Sequence, residues 1–367
     1  MAPFFVFVMN QFLTLTFACC IGISVNAQRF SLNDFFKYDA ELAQKIDSVF
    51  FELNDTSRVG QMIVAAAGRL GKPDSEINDL VKHQMIGGVI LLNGSKTGFT
   101  EKINAFNTLN KGVPLVYSAD AEPTLIGSKI KGTTPVKKAN AMLNRLEVLH
   151  YTQLICQDLK QIGITYNYAP VVDMSPNKVV STRSFGNNPD TAQAWANIFI
   201  KESQKSGIVA TAKHFPGHGY VTGDTHERLV TIDGEMKELN NYIPLINGGV
   251  LSIMVAHIAI KNNAKYNTNG LPSSCSKVIV TDLLKRELNF KGLVITDAMN
   301  MGGVAKIDKC ELMAAKAGCD IILMPVNERK AIMDILSGME KNIRFRQQIY
   351  ASVKKIIRLK ICLGLIT

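Results

Sequence analysis

The sequence predicts an α/β protein built as a single (β/α)8 barrel of the TIM type, preceded by an N-terminal helical segment. Short runs rich in Val, Ile and Leu alternate with helical patterns eight times along the chain, and this alternation is the plan of such a barrel. Most of these runs are continuously apolar, as strands buried on both faces are. A doubly wound parallel sheet is the alternative that the same alternation allows.

Each predicted strand is bounded by Gly, Pro or Asn, which are residues that end regular structure. The eight predicted strands are 61–65, 86–92, 114–118, 165–172, 208–213, 251–256, 292–296 and 320–324. Between them, apolar residues recur at helical spacing. The predicted helices include 74–84, 100–110, 139–161, 189–206, 277–288 and 327–336, and a helical preface lies at 31–52.

The composition excludes several classes of protein. A chain of 367 residues with 47% hydrophobic and 20% charged residues can bury a core without disulfide or metal support. No linker or repeat divides residues 28–367, which are predicted to be one barrel domain. The net charge of +10 comes from thinly spread basic residues, which predicts no nucleic-acid footprint. The densest basic cluster is predicted to be a solvated helix face, formed by Lys354, Lys355, Arg358 and Lys360.

The first 27 residues resemble an export signal. Residues 4–25 are apolar and end in Val25-Asn26-Ala27, which predicts a signal peptide over 1–27 with cleavage before Gln28. Because no Lys or Arg precedes the apolar stretch, an uncleaved anchor is the alternative. Each of these interpretations predicts export to the periplasm or the medium. No second long apolar run follows, which excludes a polytopic membrane protein.

The fifth predicted strand ends in charged and titratable residues that could act in binding or catalysis. Lys213 and His214 begin the motif KHFPGHG at the end of this buried strand, where charge is costly unless it faces a ligand or a partner carboxylate. The loop that follows carries Asp224 and His226. An Asp two residues before a His can accept one imidazole N–H and leave the other nitrogen free for proton transfer. The structural alternatives are a buried salt bridge and a solvated turn.

Polar side chains follow three further strands. Asp297 comes directly after four apolar residues of the seventh strand, in the position of a rim nucleophile or metal ligand, although it could also cap the next helix. Asp173 and Arg183 follow the fourth strand, and Asp120 and Glu122 follow the third. The chain has no phosphate loop and no dinucleotide motif. This pattern predicts no cofactor and favours a neutral, hydroxyl-rich ligand.

These motifs resemble those of the glycoside hydrolase family 3 catalytic domain, in its β-N-acetylhexosaminidase branch. The similarity runs over residues 55–365, and three segments carry it: KHFPGHG with Asp224-Thr225-His226, RSFG at 183–186 and ITDAMNMGG at 295–303. The resemblance implies a retaining mechanism with Asp297 as nucleophile, His226 as general acid and base, and Asp224 orienting His226. It also implies that sugar hydroxyls are bound by Asp120, Arg183, Lys213 and His214.

The resemblance implies cleavage of terminal β-linked N-acetylhexosamine from peptidoglycan fragments or chitin-like oligosaccharides. The expected partner is therefore a carbohydrate, with no metal and no nucleic acid, and membrane contact only through an uncleaved leader. One departure concerns the segment Pro123–Lys129, where the family commonly has a glycine-rich stretch and an arginine. Here Lys129 or Lys131 is an imperfect replacement, because lysine lacks the planar fork of arginine.

Two rival functions follow from the same residues. A metal-dependent barrel hydrolase would use His214, His218, His257 and Asp297 as ligands. Such barrels usually carry a His-x-His pair on the first strand, and the first predicted strand of this chain has no His. A non-catalytic sugar-binding barrel is supported only by the altered segment Pro123–Lys129. Retention of Asp297 together with the pair Asp224 and His226 opposes that second alternative.

Overall fold

The computed structural model describes residue 1 and residues 29–367, and its central feature is a barrel of eight parallel strands. The barrel strands are β1 (Ile63–Gly68), β2 (Gly88–Leu92), β3 (Val116–Ala119), β4 (Tyr166–Asn167), β5 (Val209–Phe215), β6 (Ser252–Val255), β7 (Leu293–Thr296) and β8 (Ile322–Leu323). Strand β8 pairs with β1, and a bridge between Ile295 and Ile321 joins its start to β7. The sheet therefore closes on itself, which confirms the predicted barrel and excludes the doubly wound sheet.

All eight predicted strands are present, but β4 is much shorter than the predicted 165–172. It pairs at Tyr166 and Asn167 with β3 and β5. Pro170 follows and has no backbone N–H to donate, so regular pairing stops there. Pairing resumes only as a single bridge between Val171 and Lys213.

Helices surround the barrel, and a side chain caps the first turn of most of them. The helices are α1 (Ala40–Glu52), α2 (Asp55–Gly60), α3 (Asp74–Lys82), α4 (Lys96–Leu109), α5 (Ile126–Lys129), α6 (Arg145–Ile162), α7 (Pro189–Lys205), α8 (Ile243–Asn247), a π-helix (Val278–Glu287), α9 (Cys310–Ala317), α10 (Glu328–Lys341) and α11 (Ile343–Cys362). Ser95 caps α4, which begins at Lys96, four residues before the predicted start at 100. Asn144 caps α6, so the predicted helix 139–161 starts later than expected.

The predicted preface consists of a short 3-10 helix, Leu32–Asp34, followed by α1. Helix α1 packs against α11, where the rings of Phe50 and Tyr350 lie 5.1 Å apart edge to face. Leu32 lines a cavity with Leu251, which directly precedes β6. The preface therefore lies at the end of the barrel where the strands begin.

One prediction about α11 is wrong. Lys360 belongs to the basic cluster that was expected to face solvent, yet its side chain is completely buried. Its Nζ donates to Gln61 Oε1 at 2.6 Å and to the carbonyl of Gly87 at 2.9 Å. Both acceptors lie just before barrel strands, so α11 crosses the base of the barrel and buries the face that carries Lys360.

Two small parallel sheets extend the opposite end of the barrel. They pair Gly94–Ser95 with Ile130–Lys131, and Val230–Asp233 with Ile258–Lys261. Cys156, Cys275, Cys310 and Cys319 are buried free thiols. Within residues 29–367, no helix is both long enough and apolar enough to cross a bilayer. The predicted leader and its cleavage site lie, except for Met1, outside the described residues.

Candidate active site

A cavity of about 500 Å³ opens at the carboxyl ends of the barrel strands. Six of the seven predicted site residues line it, and Leu70, Leu92 and Met324 contribute apolar wall. The seventh, Asp224, contacts His226 directly. The six lining residues are Asp120, Arg183, Lys213, His214, His226 and Asp297. Residues separated by up to 177 positions along the chain are thus brought to one place.

Asp297 directly follows β7 and is held by its own turn. Its backbone N–H donates to the carbonyl of Val255 at 3.0 Å, and its Oδ1 accepts the N–H of Ala298 at 2.8 Å. His257 is completely buried behind this turn, and its Nε2 lies 3.0 Å from the carbonyl of Ala298. Because a carbonyl only accepts, Nε2 carries the hydrogen, and Nδ1 of the neutral ring accepts the Ser274 hydroxyl at 2.8 Å.

The Asp297 carboxylate is kept ionised by its neighbours. Burial alone would raise its pKa, but the nearby charge of His214, the N–H of Ala298 and the charge of Lys213 together lower the pKa below its ordinary value. An ionised carboxylate facing a cavity is the state that a nucleophile requires.

Asp224 and His226 form the pair that the sequence predicts. Nδ1 of His226 lies 2.7 Å from Asp224 Oδ1, and the His226 backbone N–H donates to the same oxygen at 2.9 Å. Since a carboxylate accepts, Nδ1 carries the hydrogen and Nε2 remains available on a side chain that is 64% exposed. Although partial burial opposes it, hydrogen bonding from His226 lowers the pKa of Asp224.

Glu122 is the residue whose importance the sequence did not reveal. It is buried, and its carboxylate accepts Arg183 Nε at 2.8 Å and Nη2 at 2.7 Å, together with Lys213 Nζ at 2.6 Å. Lys213 Nζ also lies 3.0 Å from Asp120 Oδ1. Burial would raise the pKa of Glu122, but Lys213 and Arg183 hold it well below its ordinary value. The Asp-x-Glu spacing after β3 was the available signal.

Asp173 organises the KHFPGHG turn from below. Its carboxylate is buried, lies 2.6 Å from Nδ1 of His214 and accepts the backbone N–H of His218 at 2.9 Å. His214 therefore turns its other ring nitrogen away from Asp173, and His214 lines the cavity. Although desolvation opposes it, the charge of His214 lowers the pKa of Asp173.

Lys129 occupies the side of the cavity where the family resemblance led us to expect an arginine. It ends α5 and lines the cavity, whereas Lys131 is exposed and is not part of the lining. In the part of the chain that the structure describes, Lys129 has no ion-pair partner among the acidic residues. Of the two replacements considered, Lys129 is therefore the one placed to meet a ligand.

The hypothesised metal ligands do not form a metal site. Both ring nitrogens of His257 are occupied by Ser274 and Ala298, and Nδ1 of His214 is held by Asp173. Among residues 29–367, no three His, Cys, Asp or Glu side chains are arranged to hold a metal ion.

The fold and this site define a class of protein. Carboxylates, imidazoles and cations gathered around one cavity at the carboxyl ends of barrel strands are the features of a barrel enzyme. The chain belongs to glycosyl hydrolase family 3, because the family model described as "Glycosyl hydrolase family 3 N terminal domain" matches residues 55–359. This finding confirms the resemblance that the motifs indicated.

Known relatives agree with this family. Beta-hexosaminidase A from Pseudoalteromonas piscicida is 26% identical over 332 residues, which cover 78% of this chain and 55% of that protein. Beta-hexosaminidase from Actinobacillus pleuropneumoniae serotype 5b is 28% identical over 287 residues, covering 71% and 80% respectively. A solved family 3 β-N-acetylglucosaminidase from a Paenibacillus species superposes with a TM-score of 0.77 at 25% identity, over 85% of this chain and 63% of that one. The chain thus spans little more than half of the first relative.

Proposed function

We propose that this protein is an exported, retaining β-N-acetylhexosaminidase that removes terminal β-linked N-acetylhexosamine from peptidoglycan fragments or chitin-like oligosaccharides. The observation that carries the proposal is that Asp297 and His226, which follow different strands, line one cavity. The relatives from Pseudoalteromonas piscicida and Actinobacillus pleuropneumoniae support the substrate class, since both are called beta-hexosaminidases. Cavities of this size are typical of small-molecule sites.

In the first step, the Asp297 carboxylate attacks the anomeric carbon and forms a covalent ester with the sugar. The His226 imidazolium donates its Nε2 proton to the leaving oxygen as the glycosidic bond breaks. Asp224 stabilises the imidazolium through the 2.7 Å contact with Nδ1. The proton donor is thus a cation that becomes neutral, so no second negative charge develops beside Asp297.

In the second step, neutral His226 accepts a proton from a water molecule, whose oxygen attacks the anomeric carbon. The ester bond to Asp297 breaks, the carboxylate is restored and the imidazolium is regenerated. Two inversions at one carbon give net retention of configuration.

The bound sugar would be held by the charged cluster beside the nucleophile. Asp120, Lys213, Arg183 and His214 all line the cavity, and we propose that they hydrogen-bond its hydroxyl groups. Because Glu122 fixes Lys213 and Arg183 in place, these donors are preorganised before the sugar arrives. Preorganised donors do not have to be reordered when the ligand binds.

The decisive experiment incubates the purified protein with a 4-nitrophenyl N-acetyl-β-glucosaminide and with a slow fluorinated analogue. We expect phenol release, a product of retained configuration, and a sugar adduct on the peptide that contains Asp297. Asp297→Asn is the matched control and should give no adduct. Sugar binding without phenol release would favour the non-catalytic barrel, whereas bound zinc and chelator-sensitive turnover would favour the metal-dependent rival.

Export is the part of the proposal that rests on sequence alone. It is supported by the apolar residues 4–25 and by the small residues Val25 and Ala27. N-terminal sequencing of protein recovered from the periplasm of an expressing cell should begin at Gln28. Recovery of the intact leader in the membrane fraction would favour the uncleaved anchor.

A further inference from the structure

The segment that follows the nucleophile also touches the loop that carries the acid and base. The backbone N–H of Gly302 donates to the carbonyl of His226 at 3.0 Å, and the N–H of Gly303 donates to the carbonyl of Thr225 at 3.1 Å. Thr225 is itself buried, while the His226 side chain is mostly exposed. The two glycines thus hold the backbone from which the His226 side chain extends.

Close approach of the two backbones explains the glycine at position 302. A Cβ atom there would overlap the carbonyl oxygen of Glu227 and lie 2.8 Å from that of His226. Neither Gly302 nor Gly303 has a positive φ, so the requirement is for space and not for backbone conformation. At Gly303 the nearest contact of a Cβ would be 3.1 Å, which a small shift relieves.

The segment that follows Asp297 and ends in Gly302 and Gly303 is fixed relative to the Asp297 carboxylate. Ala298 is held between the Asp297 carboxylate and the buried ring of His257, and the N–H of Met299 donates to the carbonyl of Leu323 in β8 at 2.9 Å. A displacement of the acid and base loop away from Gly302 is therefore a displacement away from Asp297.

Other side chains hold the earlier residues of this loop, from Gly219 to Gly223. Asn177 Nδ2 donates to the carbonyls of Val221 at 2.8 Å and of Gly223 at 3.3 Å. Glu238 accepts the N–H of Gly219 at 2.9 Å. Within residues 29–367, the backbone of Thr225 and His226 makes its hydrogen bonds to other parts of the chain only with Gly302 and Gly303.

We propose that Gly302 is a positioning residue, whose contact with the His226 carbonyl sets the imidazole at the distance from Asp297 that proton transfer to the leaving group requires. This inference rests on the proposed glycosidase function. It predicts that a side chain at position 302 mimics the loss of His226 without affecting the attack by Asp297.

The test compares Gly302→Ala with the wild type on two aryl N-acetyl-β-glucosaminides, one with an activated and one with a poor leaving group. We expect kcat/KM to fall about 100-fold for the poor leaving group and less than about 5-fold for the activated one, because only the former needs a proton. In the background of His226→Ala, the same change should cause no further loss. Trapping of Asp297 by an activated fluorosugar should keep the wild-type rate.

Equal losses on both substrates, or losses that multiply with those of His226→Ala, would overturn the proposal and assign Gly302 a purely structural role. If Gly302→Ala does not fold, Gly303→Ala carries the same comparison, with a smaller selective loss expected from its milder contact. A wild-type protein that releases no phenol at all would instead refute the proposed function, so the two failures are distinguishable.

Discussion

The buried Lys360 gives the protein a stability that depends on pH. Its Nζ has two acceptors, Gln61 and Gly87, which match the two N–H groups of a neutral amine and leave the third hydrogen of an ammonium without a partner. Burial lowers the pKa of Lys360 from 10.5 to about 7 in the folded protein. Between these two values, the unfolded chain therefore binds a proton that the folded protein does not.

The unfolded state binds more protons in this range, so the free energy of unfolding rises with pH. Well below pH 7, Lys360 is protonated in both the folded and the unfolded state, so its contribution to the free energy of unfolding does not change with pH. Between pH 7 and pH 9, a pKa difference of this size contributes a rise of about 2 kcal/mol. Lys360→Met removes this contribution and leaves the other titrating groups in place.

Urea unfolding of the wild type and of Lys360→Met at pH 7, 8 and 9 measures the difference directly. The wild type should gain about 2 kcal/mol relative to the variant over this range. Lys201→Met, at an exposed position of α7, is the matched control and should follow the wild type. Parallel pH profiles for wild type and Lys360→Met would refute the assignment of a neutral lysine at the base of the barrel.

Three further predictions concern the cavity. Asp297→Ala should abolish turnover, whereas His226→Ala should slow a poor leaving group about 100-fold more than an activated one; equal losses in leaving-group assays would contradict the role of His226. Glu122→Gln should lower the free energy of unfolding by about 3 kcal/mol, because the buried Lys213 and the half-buried Arg183 lose their shared anion; an unchanged urea midpoint would contradict this role of Glu122. Asp224→Asn should reduce kcat on poor leaving groups by about 10-fold or more, since the imidazolium loses its stabilising charge; a pH–rate profile identical to the wild type would contradict it.

The fold could be predicted because its determinants are local. Each buried strand corresponds to a continuous apolar run in the sequence, and the order of strands and helices is compatible with few topologies. Local exceptions came from single residues whose effect depends on position, such as Pro170, which ends β4 early, and Asn144, which delays α6.

The site was predicted only as far as the strand ends reveal it. Asp297 and His226 stand at positions that any barrel of this order directs to one rim. The role of Glu122 depends on cations 61 and 91 residues away in the chain, and no local pattern encodes such a pairing. The burial of Lys360 likewise depends on acceptors at Gln61 and Gly87, which lie 299 and 273 residues earlier in the chain.

The preface and the cavity occupy opposite poles of the barrel. Leu32, near the start of the described residues 29–367, lies beside the strand beginnings, and the cavity opens beyond the strand ends. A bead, a reporter or a partner domain coupled to the preface itself would therefore lie at the pole away from the mouth of the cavity. The same geometry would let a bulky polymer approach one pole while the other is fastened to a support.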